Sequence, residues 1–324
     1  MNTHSEPMAD APAGALAFVF PGQGSQALGM LAELAAQHAE VQQTFAEASA
    51  GAGTDLWTLA QQGPREALDR TVNTQPVLLA AGIAVWRVWN KLGGAQPALL
   101  AGHSLGEYTA LVAAGALQLT DAAALVAERG RLMQEAVAEG EGAMAAVLGA
   151  EDALIAEVCA EVAEGQVVAP ANFNAPGQTV IAGHAEAVAR ALARLAERGV
   201  RKSVPLPVSV PSHCELMRDA AARLAERMAG LDWRMPHLPV VQNVEARAYG
   251  AVGYIRAALE RQLYMPVRWS ESVQAMAAQG VTRVAECGPG KVLCGLIKRI
   301  DKSLDARALG MPDELAAARA AWPA

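Results

Sequence analysis

Residues 98–117 read ALLAGHSLGEYTALVAAGAL, and this stretch decides the fold. Ala98–Ala101 is a short apolar run, and the residues beyond the glycines continue as a long, alanine-rich apolar pattern. That is a strand, a sharp glycine turn and a helix. Within it, Gly102-His103-Ser104-Leu105-Gly106 matches G-x-S-x-G. A serine at a tight strand-to-helix turn needs small neighbours two positions before and two after. The turn then pushes the hydroxyl out and aims the next backbone N–H at a reacting carbonyl oxygen. The helix N-terminus favours the negative charge that develops there. A serine that merely caps the helix would use the same glycines, so the motif alone leaves both readings open.

Working outward, ALAFVF (15–20) is a buried strand stopped by Pro21-Gly22. Helices are expected over about 26–38 and 75–91, and from Thr120-Asp121 to about Ala138. Near Gly140 the texture changes. Strands are expected at 143–149, 167–172, 179–182 and 200–206, with helices at 151–164 and 184–198. That β-α-β-β-α-β order is the order of a ferredoxin-like unit, inserted in the chain at 140–206. Alternation then resumes: helix 215–229, strand 239–242, helices 253–263 and 268–279, strand 281–286. Gly288-Pro289-Gly290 turns into a last helix, 291–301. The expected fold is therefore α/β, with a largely parallel sheet covered on both faces. Its core is discontinuous, 15–139 and 207–304. Residues 1–14 read as a disordered lead-in and 305–324 as a C-terminal tail.

The 324 residues suffice for a sizeable core, and 52% hydrophobic with 18% charged residues excludes wholesale disorder. Net charge is −7 and there is no basic run, so nucleic acid is not an expected partner. The most apolar stretch, Pro97–Leu119, carries His103, Ser104, Glu107 and several glycines, so no membrane span is expected. The N-terminus lacks the basic and apolar regions of a signal peptide. Cys159, Cys214, Cys287 and Cys294 are scattered, with no CxxC pair. Neither a zinc site nor a disulfide framework is expected, and a reducing cytoplasm fits.

A serine nucleophile needs a base. Of six histidines, His4 is in the lead-in, His38 and His184 look like helix ends, and His237 sits among prolines. His103 adjoins Ser104, so along an extended strand it points the other way. His213, after Val210-Pro211-Ser212, remains; a structural turn residue is the alternative. Further on, Ala122, Val126, Arg129, Met133 and Val137 share one helix face. An arginine in that apolar stripe must find an anion. The anion is either an internal carboxylate or the free carboxylate of a substrate, which a guanidinium grips well. A glycine loop, Phe20–Gln26, follows the first strand. It is neither a P-loop nor a full GxGxxG. It could cradle a phosphate or lend an N–H to an oxyanion hole.

These residues together resemble the malonyl-CoA:acyl carrier protein transacylases. The matching stretches are FVFPGQGSQ (18–26), TQPVLL (74–79), AGHSLGEYTALVAAGAL (101–117), ERGRLMQEAV (128–137), NFNAPGQTVIAG (172–183), VPSHCELM (210–217), QLYMPVRW (262–269) and ECGPGKVLCGLIKRID (286–301). The resemblance implies an α/β-hydrolase-like core with a ferredoxin-like insertion. It implies that Ser104 carries the acyl group, His213 is its base and Arg129 holds the malonyl carboxylate. It makes the backbone N–H groups of Gln23 and Leu105 the oxyanion hole. It puts Gln262 where the family orients the histidine, through a carbonyl rather than the usual aspartate. Gln75 and Asn174 fall in matching stretches near the substrate pocket.

The reaction so implied is ping-pong transfer of malonyl from malonyl-CoA to the phosphopantetheine thiol of acyl carrier protein, in fatty-acid or polyketide synthesis. No metal or redox cofactor is expected. A hydrolase with the same serine and a non-catalytic carrier-docking protein are the other classes. Because carrier proteins are acidic, Lys298, Arg299 and Lys302 are the expected docking cations. Cations that only complement a helix C-terminus are the bland alternative.

Overall fold

Ala15–Phe20 forms strand β1, and its alternation explains the layers around it. Leu16, Phe18 and Phe20 join one core cluster; Ala15, Ala17 and Val19 join another. A strand apolar on both faces has to be covered on both. The structure, a computed structural model, describes residues 14–208 and 210–323. The expected lead-in, apart from Gly14, lies outside them. Helices α1 (Ala32–Gln37), α2 (Glu40–Ala52), α3 (Leu56–Gln62), α4 (Arg65–Asp69) and α5 (Thr71–Lys91) follow β1. Next come β2 (Leu99–Gly102), α6 (Leu105–Ala113) and α7 (Leu119–Glu135). The first helix starts later than the sequence suggests, because Gly29 and Leu31 take positive φ of 77° and 61°. The sequence reading leaves α2 to α4 unassigned. Val41, Phe45 and Ala48 of α2 are buried at helical spacing, and α2 packs on α5 and α7.

Next along the chain come β3 (Gly142–Leu148), α8 (Asp152–Glu161), β4 (Val168–Ala175), β5 (Gln178–His184), α9 (Ala185–Glu197) and β6 (Lys202–Pro205). The four strands form one antiparallel sheet in the order β4-β5-β3-β6. Chain order and sheet order together are those of a ferredoxin-like unit. Ile155, Val158 and Leu195 of the two helices pack with Val147 and Ile181 beneath the sheet. The unit is tied to the core where Val267 N–H donates to Ala171 O and Phe173 N–H donates to Val267 O.

After a 3-10 turn, Glu215–Met217, the chain forms α10 (Arg218–Ala229), β7 (Val240–Val241), α11 (Val252–Gln262), α12 (Trp269–Ala278), β8 (Val281–Glu286) and α13 (Val292–Ile300). The expected tail is structured: β9 (Asp305–Ala308) and α14 (Pro312–Ala321) complete the sheet edge. β9 is short and holds only two alanines as apolar residues; register with β8 makes it a strand, not its own pattern. The main sheet runs β7-β2-β1-β8-β9, with every pairing parallel. Among the described residues no helix is long and apolar enough to cross a membrane.

Candidate active site

At the end of β2 the chain turns into α6 through Ser104, whose φ of 50° and ψ of −108° no ordinary side chain favours. Such a conformation costs about 1–3 kcal/mol and persists only when neighbours impose it. Two glycines make it sterically possible. A Cβ on Gly102 would lie 1.8 Å from the carbonyl carbon of Gly106, and one on Gly106 would lie 2.0 Å from Phe20 O. Asn243 then holds the turn from below. Its Oδ1 accepts from Ser104 N–H at 2.8 Å, and its Nδ2 donates to Gly102 O at 2.7 Å.

His213 reaches this serine from far along the chain. Its own φ is 61°, and its N–H donates to Leu263 O at 2.9 Å, just past the end of α11. Ser104 Oγ lies 2.8 Å from Nε2, and Nδ1 lies 2.6 Å from the backbone oxygen of Gln262. A carbonyl can only accept, so the proton sits on Nδ1 and the lone pair of Nε2 faces the hydroxyl. Burial, and then the nearby Arg129 cation, push the His213 pKa down to about 3. The imidazole is thus neutral, in the form that takes a proton. His103 is held by other partners: its Nε2 lies 2.7 Å from Asn174 Oδ1, and its ring packs against Trp269.

Arg129, on α7, is 1% exposed. Nη1 donates to Gln75 Oε1 at 2.8 Å, and Nη2 donates to Gln262 Oε1 at 2.9 Å and to Ser104 Oγ at 3.3 Å. Its carbon lies 5.4 Å from the Tyr108 ring centroid, and Nε has no partner. All these acceptors are neutral. Among the described residues Arg129 forms no salt bridge, so the internal carboxylate partner is not there. The Glu107 carboxyl acts on it through space, with the Gln262 amide hydrogen-bonded to both.

A cavity of about 120 Å³ opens over these groups, lined by Gln23, Gln75, His103, Ser104, Leu105, Arg129, Asn172 and His213 among others. Gln23, Thr71, Val208 and Val210 also line a second cavity of about 420 Å³, which makes the two contiguous. Neither the Gln23 nor the Leu105 N–H donates to another group among the described residues. Asn174 does not line the cavity; it backs His103, and Asn172 lines the wall instead. β4 shifts register on either side of these asparagines, so simple alternation does not tell them apart. Lys298, Arg299 and Lys302 are exposed at and beyond the end of α13, and Arg299 donates to Gln178 Oε1 at 2.8 Å.

Two residues escaped the sequence reading. Asn243 carries no local signal, since Val-Val-Gln-Asn-Val looks like any strand end. Glu107 did have one: it is the only charged residue in α6. It is fully buried and accepts from Asn243 N–H at 2.7 Å and from Gln262 Nε2 at 3.1 Å. Burial pushes its carboxyl up to about 7 against those hydrogen bonds and the Arg129 charge.

The chain matches the model of the acyl transferase domain over residues 17–315. It is 58% identical over 302 residues to the malonyl CoA-acyl carrier protein transacylase of Salmonella typhimurium, covering 93% of this chain and 98% of the relative. The crystal structure of malonyl-CoA:acyl carrier protein transacylase from Xanthomonas oryzae superimposes with a TM-score of 0.95 at 67% identity, covering 95% of this chain and 98% of that one. A malonyl-transacylase solved in complex with its type II polyketide-synthase acyl carrier protein gives 0.92 at 53%, covering 94% and 98%. By these likenesses the chain belongs to the acyl transferase domain family and, within it, to the malonyl-CoA:acyl carrier protein transacylases.

Proposed function

We propose that the chain transfers the malonyl group of malonyl-CoA to the phosphopantetheine thiol of acyl carrier protein through a malonyl ester on Ser104, supplying extender units for fatty-acid synthesis. The observation that carries this reading is Arg129, buried without an anionic partner and 3.3 Å from Ser104 Oγ. In a malonyl thioester one methylene separates the carboxylate carbon from the thioester carbonyl. A carbonyl placed at Ser104 therefore puts the carboxylate against the guanidinium.

His213 Nε2 takes the Ser104 proton as Oγ bonds to the malonyl carbonyl carbon. The N–H groups of Gln23 and Leu105 hold the oxyanion. When the tetrahedral intermediate collapses, the carbon–sulfur bond breaks and the His213 proton leaves on coenzyme A. The carrier thiol then gives its proton to His213 and its sulfur attacks the ester carbon. The carbon–oxygen bond breaks and the proton returns to Ser104. The Gln262 backbone carbonyl keeps the His213 tautomer fixed through both steps. Every proton and bond is accounted for by side chains and substrates, so this reading needs no metal or redox cofactor.

Residues 140–206 are taken as an inserted unit, and 15–139 with 207–304 as the catalytic core; Met144 and Asn172 of the insert line the same cavity as Ser104. Four unpaired cysteines suit a reducing compartment, and the cytoplasm is the proposed location. Intact-mass measurement tests the function. Mixing with malonyl-CoA should give a malonyl adduct that disappears, with a malonylated carrier, when the phosphopantetheinylated carrier protein is added. Release of free malonate without any adduct would make the protein a hydrolase, and no change at all would make it a binder.

A further inference from the structure

We propose that Glu107 is a positioning residue for acyl selectivity: its carboxyl fixes the Gln262 amide so that the amide oxygen, rather than the NH2, faces Arg129. This rests on the reading of Arg129 as the malonyl carboxylate's partner.

Gln262 does three things at once. Its backbone oxygen accepts from His213 Nδ1, its Oε1 accepts from Arg129 Nη2, and its Nε2 donates to Ser104 O at 2.9 Å and to Glu107 Oε2 at 3.1 Å. An amide has two faces of opposite polarity, and only one orientation satisfies a cation on one side and oxygens on the other. Glu107 supplies the nearer side-chain oxygen, 3.1 Å from Nε2; Ser104 O is the other near acceptor, and Asn243 Oδ1 lies farther off at 3.5 Å. The same Oε2 takes the Asn243 N–H at 2.7 Å, and the Asn243 side chain ties Ser104 N–H and Gly102 O together. One carboxyl oxygen thus braces the Gln262 amide and the Asn243 backbone behind the site. All three side chains are fully buried, so no water substitutes freely for a lost acceptor. Glu107 touches neither Ser104 Oγ nor the cavity. Its effect reaches the substrate through Gln262 and the guanidinium.

The prediction is a change in preference rather than a general loss. Without the acceptor the Gln262 amide can rotate and leave Arg129 with Gln75 and the longer contact to Ser104 Oγ, so that the guanidinium is no longer fixed toward the malonyl carboxylate. Glu107→Met has nearly the same volume and no acceptor; Glu107→Gln keeps an acceptor oxygen at the same reach and lacks the charge. The measurement is kcat and KM for malonyl-CoA and acetyl-CoA, per Ser104 counted by malonyl adduct. Glu107→Met should narrow the malonyl-to-acetyl ratio of kcat/KM about tenfold, and Glu107→Gln should hold it within about threefold of the parent. If Glu107→Met does not fold, Glu107→Asp, which withdraws the oxygen by one methylene, is read in the same way. An unchanged ratio in the truncating variant overturns the proposal, since a merely structural carboxyl would lower the folded fraction and leave preference alone. Glu107→Gln as impaired as Glu107→Met also overturns it. Arg129→Ala, run alongside, separates the two levels. If it leaves the ratio intact, the Arg129 reading has failed. If it collapses the ratio while Glu107→Met does not, only the role of Glu107 has failed.

Discussion

Nη2 of Arg129 lies 3.3 Å from Oγ of Ser104, so a buried cation stands directly beside the nucleophile. Desolvation pulls the guanidinium pKa down, and every hydrogen-bond acceptor around it is a neutral oxygen. A charge held this way is tolerated rather than satisfied. An incoming carboxylate is the group that would satisfy it, at the place where the acyl carbon must arrive.

Arg129→Ala removes a desolvated charge and leaves only the Gln75 and Gln262 amides behind. The expected melting temperature is close to that of the parent, because Arg129 is in no ion pair among the described residues and the Glu107 carboxyl keeps its hydrogen bonds from Asn243 and Gln262. Malonyl recognition should weaken by about 2–5 kcal/mol, and acetyl-CoA should become a better substrate relative to malonyl-CoA. A thermal melt paired with kcat/KM for both thioesters checks this. A large drop in melting temperature at unchanged preference would assign Arg129 to the core instead.

Ser104→Ala should abolish the malonyl adduct while the fold remains, since alanine loses only the hydroxyl from the elbow. Intact mass and circular dichroism decide the point. A malonyl adduct on another residue of the variant would move the nucleophile elsewhere.

His213→Ala should slow both acylation and transfer to the carrier by about a hundredfold or more, the usual contribution of a general base. Rapid-quench measurement of the two half-reactions is the test. Normal turnover would turn attention to His103, although the Nε2 of that ring is bonded to Asn174.

Acid should affect the enzyme late. Burial first, and the Arg129 cation second, lower the His213 pKa from 6.5 to about 3. The base therefore stays neutral as pH falls through 6.5, and the acidic limb of kcat/KM for malonyl-CoA should lie well below that value. Arg129→Ala removes the second-largest of the causes that lower it, so its acidic limb, read with acetyl-CoA, should move upward. A limb at 6.5 in the parent enzyme would contradict a desolvated base.

Charge reversal at Lys298 and Arg299 should raise KM for the carrier protein and leave KM for malonyl-CoA unchanged. Gln178→Ala is the control for Arg299, because it removes the hydrogen bond from Arg299 while keeping the charge. Equal effects on both substrates would show that these cations serve the end of α13 and not the carrier.

Much of this was legible in the sequence because it is local. The elbow needs glycines at 102 and 106 for contacts made within a few residues and with the adjacent strand, and those glycines are visible in the string. Strands β1 and β2 announce themselves as short apolar runs closed by proline or glycine. Helices α3 and α4, of 7 and 5 residues, did not, because segments so short have little helical stability of their own and take their shape from packing. The strand β9 is similar: β8 pairs with it and makes it a strand.

The string alone carried the order of the strands from β1 to β8 and of most long helices, the serine turn and the apolar stripe that holds Arg129. These follow from backbone sterics and periodicity, which act over a handful of residues. Only the tertiary structure decided the partners. It brought His213 to within 2.8 Å of a serine 109 residues away and placed its other nitrogen on a backbone carbonyl. It surrounded Arg129 with neutral amides in place of a carboxylate, and it put Glu107 and Asn243 behind the elbow. Hydrogen bonds between distant residues depend on ångström distances set by the packing of whole elements, and no periodicity in the string encodes them.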